Sequence, residues 1–420
     1  MGARRLEPLG VRPFARLLLS YTVNELGDSV GIVALALLVF ERTHEVAPIA
    51  GFFLIAKFLP AFFATGLTAH VDRWPLRVAL PAIYSVEAAA FAALGFLAGG
   101  GRFVLVLVLL LGCVDGTLAI TGRGLTRGAV AGVLQERGLI GEGNALMNFG
   151  FAVASVGGAA LGGALIAELG LPAALYVDAA SFLVIAILLG TSSRLPRPRH
   201  EEQVSWLSRL KAGLGFARGH RLIRALLAGQ SLALICFTLV VPIEVIYAQR
   251  SLGTTSAGFG VLLSAWGAGI VVGSLLFLGL KNRSGFGVII VSSAAVGLAY
   301  LGMSAAGTLL LACLMSVVGG LGNGVQWVAV MTALQRVTPQ DYQARVSGLL
   351  ESIGAALPGV GYVLGGVIAG LTSPRAAFAV AGAAIIALVL LALLARPCWE
   401  RRDQTSTTTG STIGRRLSRS

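Results

Sequence analysis

The chain has 420 residues, of which 56% are hydrophobic and only 12% charged, and its mean hydropathy is +0.85. A water-soluble fold carries about twice that charged share, so composition excludes an ordinary soluble enzyme, a disordered scaffold and a collagen-like fibre. The net charge of +13 suits either a nucleic-acid binder or a membrane protein with basic loops, and the placement of the charges decides between them.

Long apolar runs bounded by charge, Pro or Gly predict six membrane-crossing helices at 14–40, 48–69, 78–99, 103–122, 145–168 and 172–191. Six more are predicted at 222–248, 257–280, 286–304, 308–332, 346–370 and 374–395. The first run is too long for a signal-peptide core and is expected to be retained. The stretch 192–220 is the long polar segment between spans and divides the runs six and six. The expected organisation is a cytoplasmic N-tail at 1–13, a six-helix bundle at 14–191, a cytoplasmic linker at 192–220, a second bundle at 221–395 and a basic, disordered tail at 396–420. Within the linker, Trp206, Leu207, Leu210, Leu214 and Phe216 among basic residues suit either a short helix on the membrane surface or a solvated connector.

Counted by side, 27 of the 32 basic residues fall in the two tails and the even-numbered loops, against Arg42, Arg102, Arg250 and Arg375 on the other side. That is the positive-inside pattern with both termini cytoplasmic. The charge therefore sets topology and offers no support for a nucleic-acid partner. Cys113, Cys236 and Cys313 lie alone in separate apolar runs, Cys398 is in the tail, and the four histidines fall outside the runs. No disulfide framework, metal site or cofactor is implied. None of the three lysines follows Gly, so no Walker A motif supplies ATP energy.

The halves resemble each other. A shift of 210 lays Asp72-Arg73 over Asn282-Arg283, and a shift of 203 lays GAALGG (158–163) over GYVLGG (361–366), which indicates duplication. Twelve helices in two repeats joined by a basic loop resemble the major facilitator superfamily of secondary transporters. The 2/3 loop GLTAHVDRWPLR is similar to that superfamily's G-x-x-x-D-R-x-G-R-R signature at Gly66, Asp72, Arg73 and Arg77, with a longer Gly-to-Asp spacing and Pro75 in place of the second Gly. Gly66 is expected to let helices approach closely, and Asp72 to accept hydrogen bonds from the start of the eleventh helix. ELGDSV (25–30), YVDAASFLV (176–184), LKAGLGFARGHRLIRALL (210–227) and LQRVTPQDYQARVSGL (334–349) resemble a narrower branch, the drug and siderophore exporters that include enterobactin exporters and macrolide efflux permeases. In the fifth helix Ala159 stands where the proton-antiporter motif G-P-x-x-G-G has Pro, which keeps the small-residue packing face and weakens the inference of antiport.

Ionisable groups at membrane depth cost several kcal/mol unless paired or hydrated, so each is a functional candidate. Asn24, Glu25 and Asp28 fall within about one turn and can share a face lining a central cavity. Asp115 lies halfway along the fourth helix, and Arg123 is eight residues further, roughly 12 Å nearer the cytoplasm. Asp28 is the first proton-coupling candidate, then Asp115, with Glu25 beside them and Arg123 as counter-charge. Lys57 and Glu87 are expected to form a structural ion pair, and Asp178 to sit at an outer helix start. Glu244, after Pro242, can gate, attract a cation or reach solvent. Asn24 on the first helix and Asn323, Gln326 and Trp327 on the tenth are the cavity residues that could touch substrate, although Asn and Gln in membrane helices also bond neighbouring helices.

The resemblance implies an all-α major facilitator fold and a multi-pass protein of a bacterial inner membrane, not an enzyme. It would export a small amphipathic molecule by exchange for protons, acting as a monomer in the lipid bilayer. Its cytoplasmic gate would comprise Gly66, Asp72, Arg73, Arg77, Lys281, Arg283 and Arg345. An importer or lipid flippase on the same fold, or a membrane enzyme or sensor, are the alternatives, since fold does not fix function.

Overall fold

A computed structural model describes residues 7–71, 73–100, 103–192, 215, 219–280, 285–338 and 340–394. Among the described residues, twelve helices are long and apolar enough to cross a membrane. They are α1 (Arg12–Thr43), α2 (Val46–Val71), α3 (Leu76–Gly99), α4 (Leu105–Leu134), α5 (Ile140–Leu169) and α6 (Leu171–Gly190). The second set is α7 (Arg221–Ser251), α8 (Ser256–Leu280), α9 (Gly285–Ala305), α10 (Leu309–Val337), α11 (Gln340–Leu371) and α12 (Pro374–Leu394). The end at which α1 begins is called inner below, following the positive-inside expectation, and the opposite end outer.

The same pairings recur in both halves. In the first, α1 packs on α5, α2 on α4 and α3 on α6; in the second, α7 packs on α11 and α8 on α10. The α3–α6 counterpart is α9–α12, where Gly297 faces Gly382 and Tyr300 meets Phe378. Between the halves, α5 packs on α8 and α2 on α11, and the outer part of α7 also meets α1 and α2.

The duplicated glycine motif explains both kinds of seam. A Cβ on Gly158 or Gly162 would strike Ser29 or Val30 of α1, and one on Gly361 or Gly365 would strike Thr238 or Leu239 of α7. The last glycine of each copy faces the other half, Gly163 against Ser256 and Gly260 of α8, Gly366 against Ala50 of α2. Helix backbones can approach this closely in lipid only where side chains are absent.

Several helices depart from regular geometry. Hydropathy predicts that α4 ends at 122, and it instead continues to Leu134. Leu125, Ala129, Val130 and Leu134 bury one face beyond the apolar run, so packing holds the helix past its hydropathy boundary. α2 contains a wide π-helical turn at Leu54–Phe58, before Pro60, and α7 has a 3-10 turn at Val241–Ile243 and a second wide turn at Tyr247–Ser251.

The contacts between halves lie toward the outer end. Gly359, Tyr362 and Gly366 of α11 meet Phe58, Phe53 and Ala50 of α2, and Ser264 of α8 donates to the Val156 carbonyl of α5 at 2.7 Å. Arg250 of α7 donates to the main-chain carbonyl of His44 and lies 5.3 Å from the Phe40 ring centroid. At the inner end, by contrast, a Cβ on Gly66 would meet open space. The close helix approach expected at Gly66 is therefore not made in this arrangement, which is closed at the outer end.

Candidate functional site

The charges at membrane depth gather in the first half. Asn24 and Glu25 are buried on α1, and Asp28 is partly buried one turn further on. Asn24 Nδ2 donates to Asp28 Oδ2 at 3.3 Å, as their four-residue spacing requires. Arg123, on the extended part of α4, reaches both carboxylates, with Nη1 3.4 Å from Glu25 Oε2 and Nη2 3.6 Å from Asp28 Oδ2. Its Nε also donates to the Ala119 carbonyl at 3.3 Å, which fixes the guanidinium against its own helix. One cation thus bridges two acids, so a change in charge on either acid changes the hold on α4.

Asp115 does not join this cluster directly. It is buried two turns before Arg123, and the positive charges that act on it are Lys57 of α2 and Arg123. The expected Lys57–Glu87 ion pair is absent. Glu87 is fully buried on α3, and neither carboxylate oxygen has a hydrogen-bond partner among the described residues.

Asp178 is not a carboxylate at an outer helix start. It is 1% exposed, and its oxygens lie against the middle of α1, where a Cβ on Gly27 or Gly31 would strike them. Ser181 donates to Oδ1 at 3.3 Å, while Oδ2 has no partner among the described residues. The sequence signal for this contact lies in Gly27 and Gly31, four residues apart on one face of α1.

The second half carries amides and aromatics. Gln326 Nε2 of α10 donates to Gln230 Oε1 of α7 at 2.8 Å, so this cavity candidate is engaged in a buried interhelical bond. Asn323 is partly buried, and Trp327 is exposed. Glu244 of α7 is partly accessible. At the inner end Arg73 and Arg77 are exposed. Asp72, Lys281, Arg283, the side chain of Arg345, the Asp72/Asn282 repeat and nearly all of the linker and tail lie outside the described residues.

At the outer end the arginines cap helix ends. Arg42 donates to the Ala98 carbonyl at 2.6 Å, and Arg375 to the Ser304 and Ser251 carbonyls at 3.0 and 3.1 Å. Cations at helix C-termini satisfy carbonyls that have no intrahelical partner. A surface depression of about 660 Å³ lined by Glu41, Arg42, Thr255 and Ser256 lies at this same rim, away from the buried acids. Among the described residues no three His, Cys, Asp or Glu side chains are grouped to hold a metal ion.

The family model of the Major Facilitator Superfamily matches residues 226–416. An uncharacterized MFS-type transporter of Bacillus subtilis (strain 168), YfiS, is 25% identical over 259 residues, which cover 58% of this chain and 61% of the relative's own length. The solved structure of the nucleoside transporter NupG superposes with a TM-score of 0.71 at 14% identity, covering 91% of this chain and 98% of that one. A bacterial homolog of the human lysosomal transporter Spinster, in an inward-facing, unoccupied conformation, gives 0.63 at 14% identity over 94% and 96%. The chain is a multi-pass membrane protein with the twelve-helix fold of the Major Facilitator Superfamily.

Proposed function

We propose that the protein is a secondary transporter of a bacterial inner membrane that exports a small amphipathic molecule by alternating access, in exchange for protons. The observation that carries this reading is Arg123 held between Glu25 and Asp28 at membrane depth. Charges kept there at an energetic cost mark a transport pathway or proton relay. Protonating Asp28 would remove one of the two anions that hold Arg123 to α1, and so would bias α4 against α1. Glu87, Asp115 and Asp178, buried nearby without a cation in hydrogen-bond contact, extend the acidic character of this half. Rocking of one half against the other would open the α5–α8 and α2–α11 seams and close the inner gate, with Asp72, Arg73, Arg77, Lys281, Arg283 and Arg345 as its proposed elements. The superfamily match and the inward-facing neighbour support the same cycle.

The test is uphill transport in vesicles of purified protein under an imposed pH gradient. Asp28→Asn should abolish uphill flux while downhill exchange persists, and full retention of gradient-driven flux overturns the coupling. Comparing inverted with right-side-out vesicles fixes direction, since an importer reverses the outcome.

A further inference from the structure

The depression at the outer rim is lined from both halves. Glu41 and Arg42 of α1, Ile166 of α5 and Pro172 of α6 belong to the first half, and Thr255 and Ser256, where α8 begins, to the second. Ser256 also packs on Gly163, so the depression sits over the place where α5 and α8 close on each other. Its volume of about 660 Å³ is that of a small-molecule site.

Its two charges are neighbours that do not neutralise each other by contact. Glu41 and Arg42 are both exposed and both line the depression. Arg42 turns Nη2 onto the Ala98 carbonyl at 2.6 Å, and among the described residues its other N–H groups have no partner. The Glu41 carboxylate feels the charges of Arg42 and His44, yet among the described residues neither comes within 4 Å of it and no hydrogen bond reaches it. Thr255 Oγ1 accepts from the Gly258 N–H at 3.4 Å, while its own hydroxyl proton and the Ser256 hydroxyl have no partner among the described residues. A simple anion drawn to Arg42 would meet Glu41, and a simple cation drawn to Glu41 would meet Arg42. A molecule that carries both charges meets neither repulsion.

We propose that this depression binds a small zwitterion and holds the outer end closed. The ammonium would lie on Glu41, the carboxylate or phosphate on the free N–H groups of Arg42 and the Thr255 and Ser256 hydroxyls, and the carbon chain over Ile166 and Pro172. A free amino acid and the ethanolamine head group of a phospholipid both present this chemistry. Parting α5 from α8 carries Thr255 and Ser256 away from Glu41 and Arg42, so the occupant favours the outer-closed state by its differential affinity. It acts as an inhibitor from outside, remote from the buried acids. Binding needs no gradient; only the inhibition rests on the transport reading.

The test is calorimetric titration of the purified full-length protein in phosphatidylglycerol nanodiscs with leucine, glycerophosphoethanolamine, ethanolamine and glycerol phosphate. At least one of the two zwitterions should bind saturably, roughly tenfold or more tighter than either singly charged compound, and Glu41→Gln should weaken it roughly tenfold or more. Displacement by phosphatidylethanolamine built into the discs assigns the occupant to the lipid, and indifference to that lipid assigns it to a water-soluble zwitterion. Failure of both zwitterions to saturate, equal binding of a singly charged compound, or unchanged affinity in Glu41→Gln overturns the site. In right-side-out vesicles the zwitterion at saturation outside should slow downhill exchange about fivefold or more, and undiminished exchange overturns the regulatory role. A protein that binds through Glu41 yet moves nothing would refute the transport reading and leave this site standing.

Discussion

Arg250 at the end of α7 donates to the main-chain carbonyl of His44 at the end of α1, so one side chain ties the two halves together at the outer rim. A charge-assisted bond of this kind, discounted for its exposure, is worth about 1 kcal/mol. Arg250→Ala should therefore shift the balance toward the outward-open state by about fivefold. The measurement is labelling of a single cysteine placed at Ser256, on the opposed α8 start, by an impermeant maleimide; an unchanged rate counts against the latch.

Arg123 should matter for coupling more than for folding. Its side chain is one-third exposed although Glu25 beside it is buried, so the pair is only partly withdrawn from water, and melting should shift little. Arg123→Gln should reduce pH-gradient-driven flux about tenfold or more, equivalent to about 1.4 kcal/mol in the limiting barrier. Equal uphill and downhill rates relative to the parent would remove Arg123 from the coupling scheme.

The docking of Asp178 against α1 predicts a compensating pair. Gly27→Ala drives a methyl into Asp178 Oδ1, and overpacking of this kind costs about 1–3 kcal/mol. Combining it with Asp178→Ala removes the struck atom, so the double variant should melt above the sum of the two single losses. Strict additivity in thermal unfolding would show that the two residues do not touch.

The first copy of the glycine motif predicts separable effects at adjacent positions of sequence. Gly162→Val meets Val30 of its own half and should lower thermal stability. Gly163→Val meets backbone of the other half, at Ser256 and Gly260, and should leave folding intact while preventing outer closure. Transport should fall with both, but only the second should raise outer-rim cysteine labelling. Equal destabilisation by the two would contradict a fixed and a separable seam.

Much of this architecture is legible in the sequence because hydropathy and charge act locally. Twelve runs and the basic loops suffice for the helices, and the motif shift of 203 marks the glycines that pack alike in both halves. Asn24, Glu25 and Asp28 are recognisable as a shared face from spacing alone. Partners are not: Lys57 and Glu87 look complementary, yet Lys57 sits in the wide turn of α2 and both Glu87 oxygens are left without a hydrogen-bond partner among the described residues. Likewise α4 outlasts its apolar run because its far end packs, a tertiary effect that hydropathy does not register. The contact of Asp178 with α1 requires knowing which helix lies opposite Gly27 and Gly31.

The π-helical turn at Leu54–Phe58 reaches further than its five residues. An inserted residue rotates everything after it by about 100° relative to a regular α-helix. The phase of Pro60–Val71, and with it the direction in which Gly66 and the following basic loop leave the bundle, is therefore set some three turns away, beside Lys57. A one-residue deletion that restored regular winding there would turn Gly66 and the chain after it aside without altering any residue proposed for the inner gate.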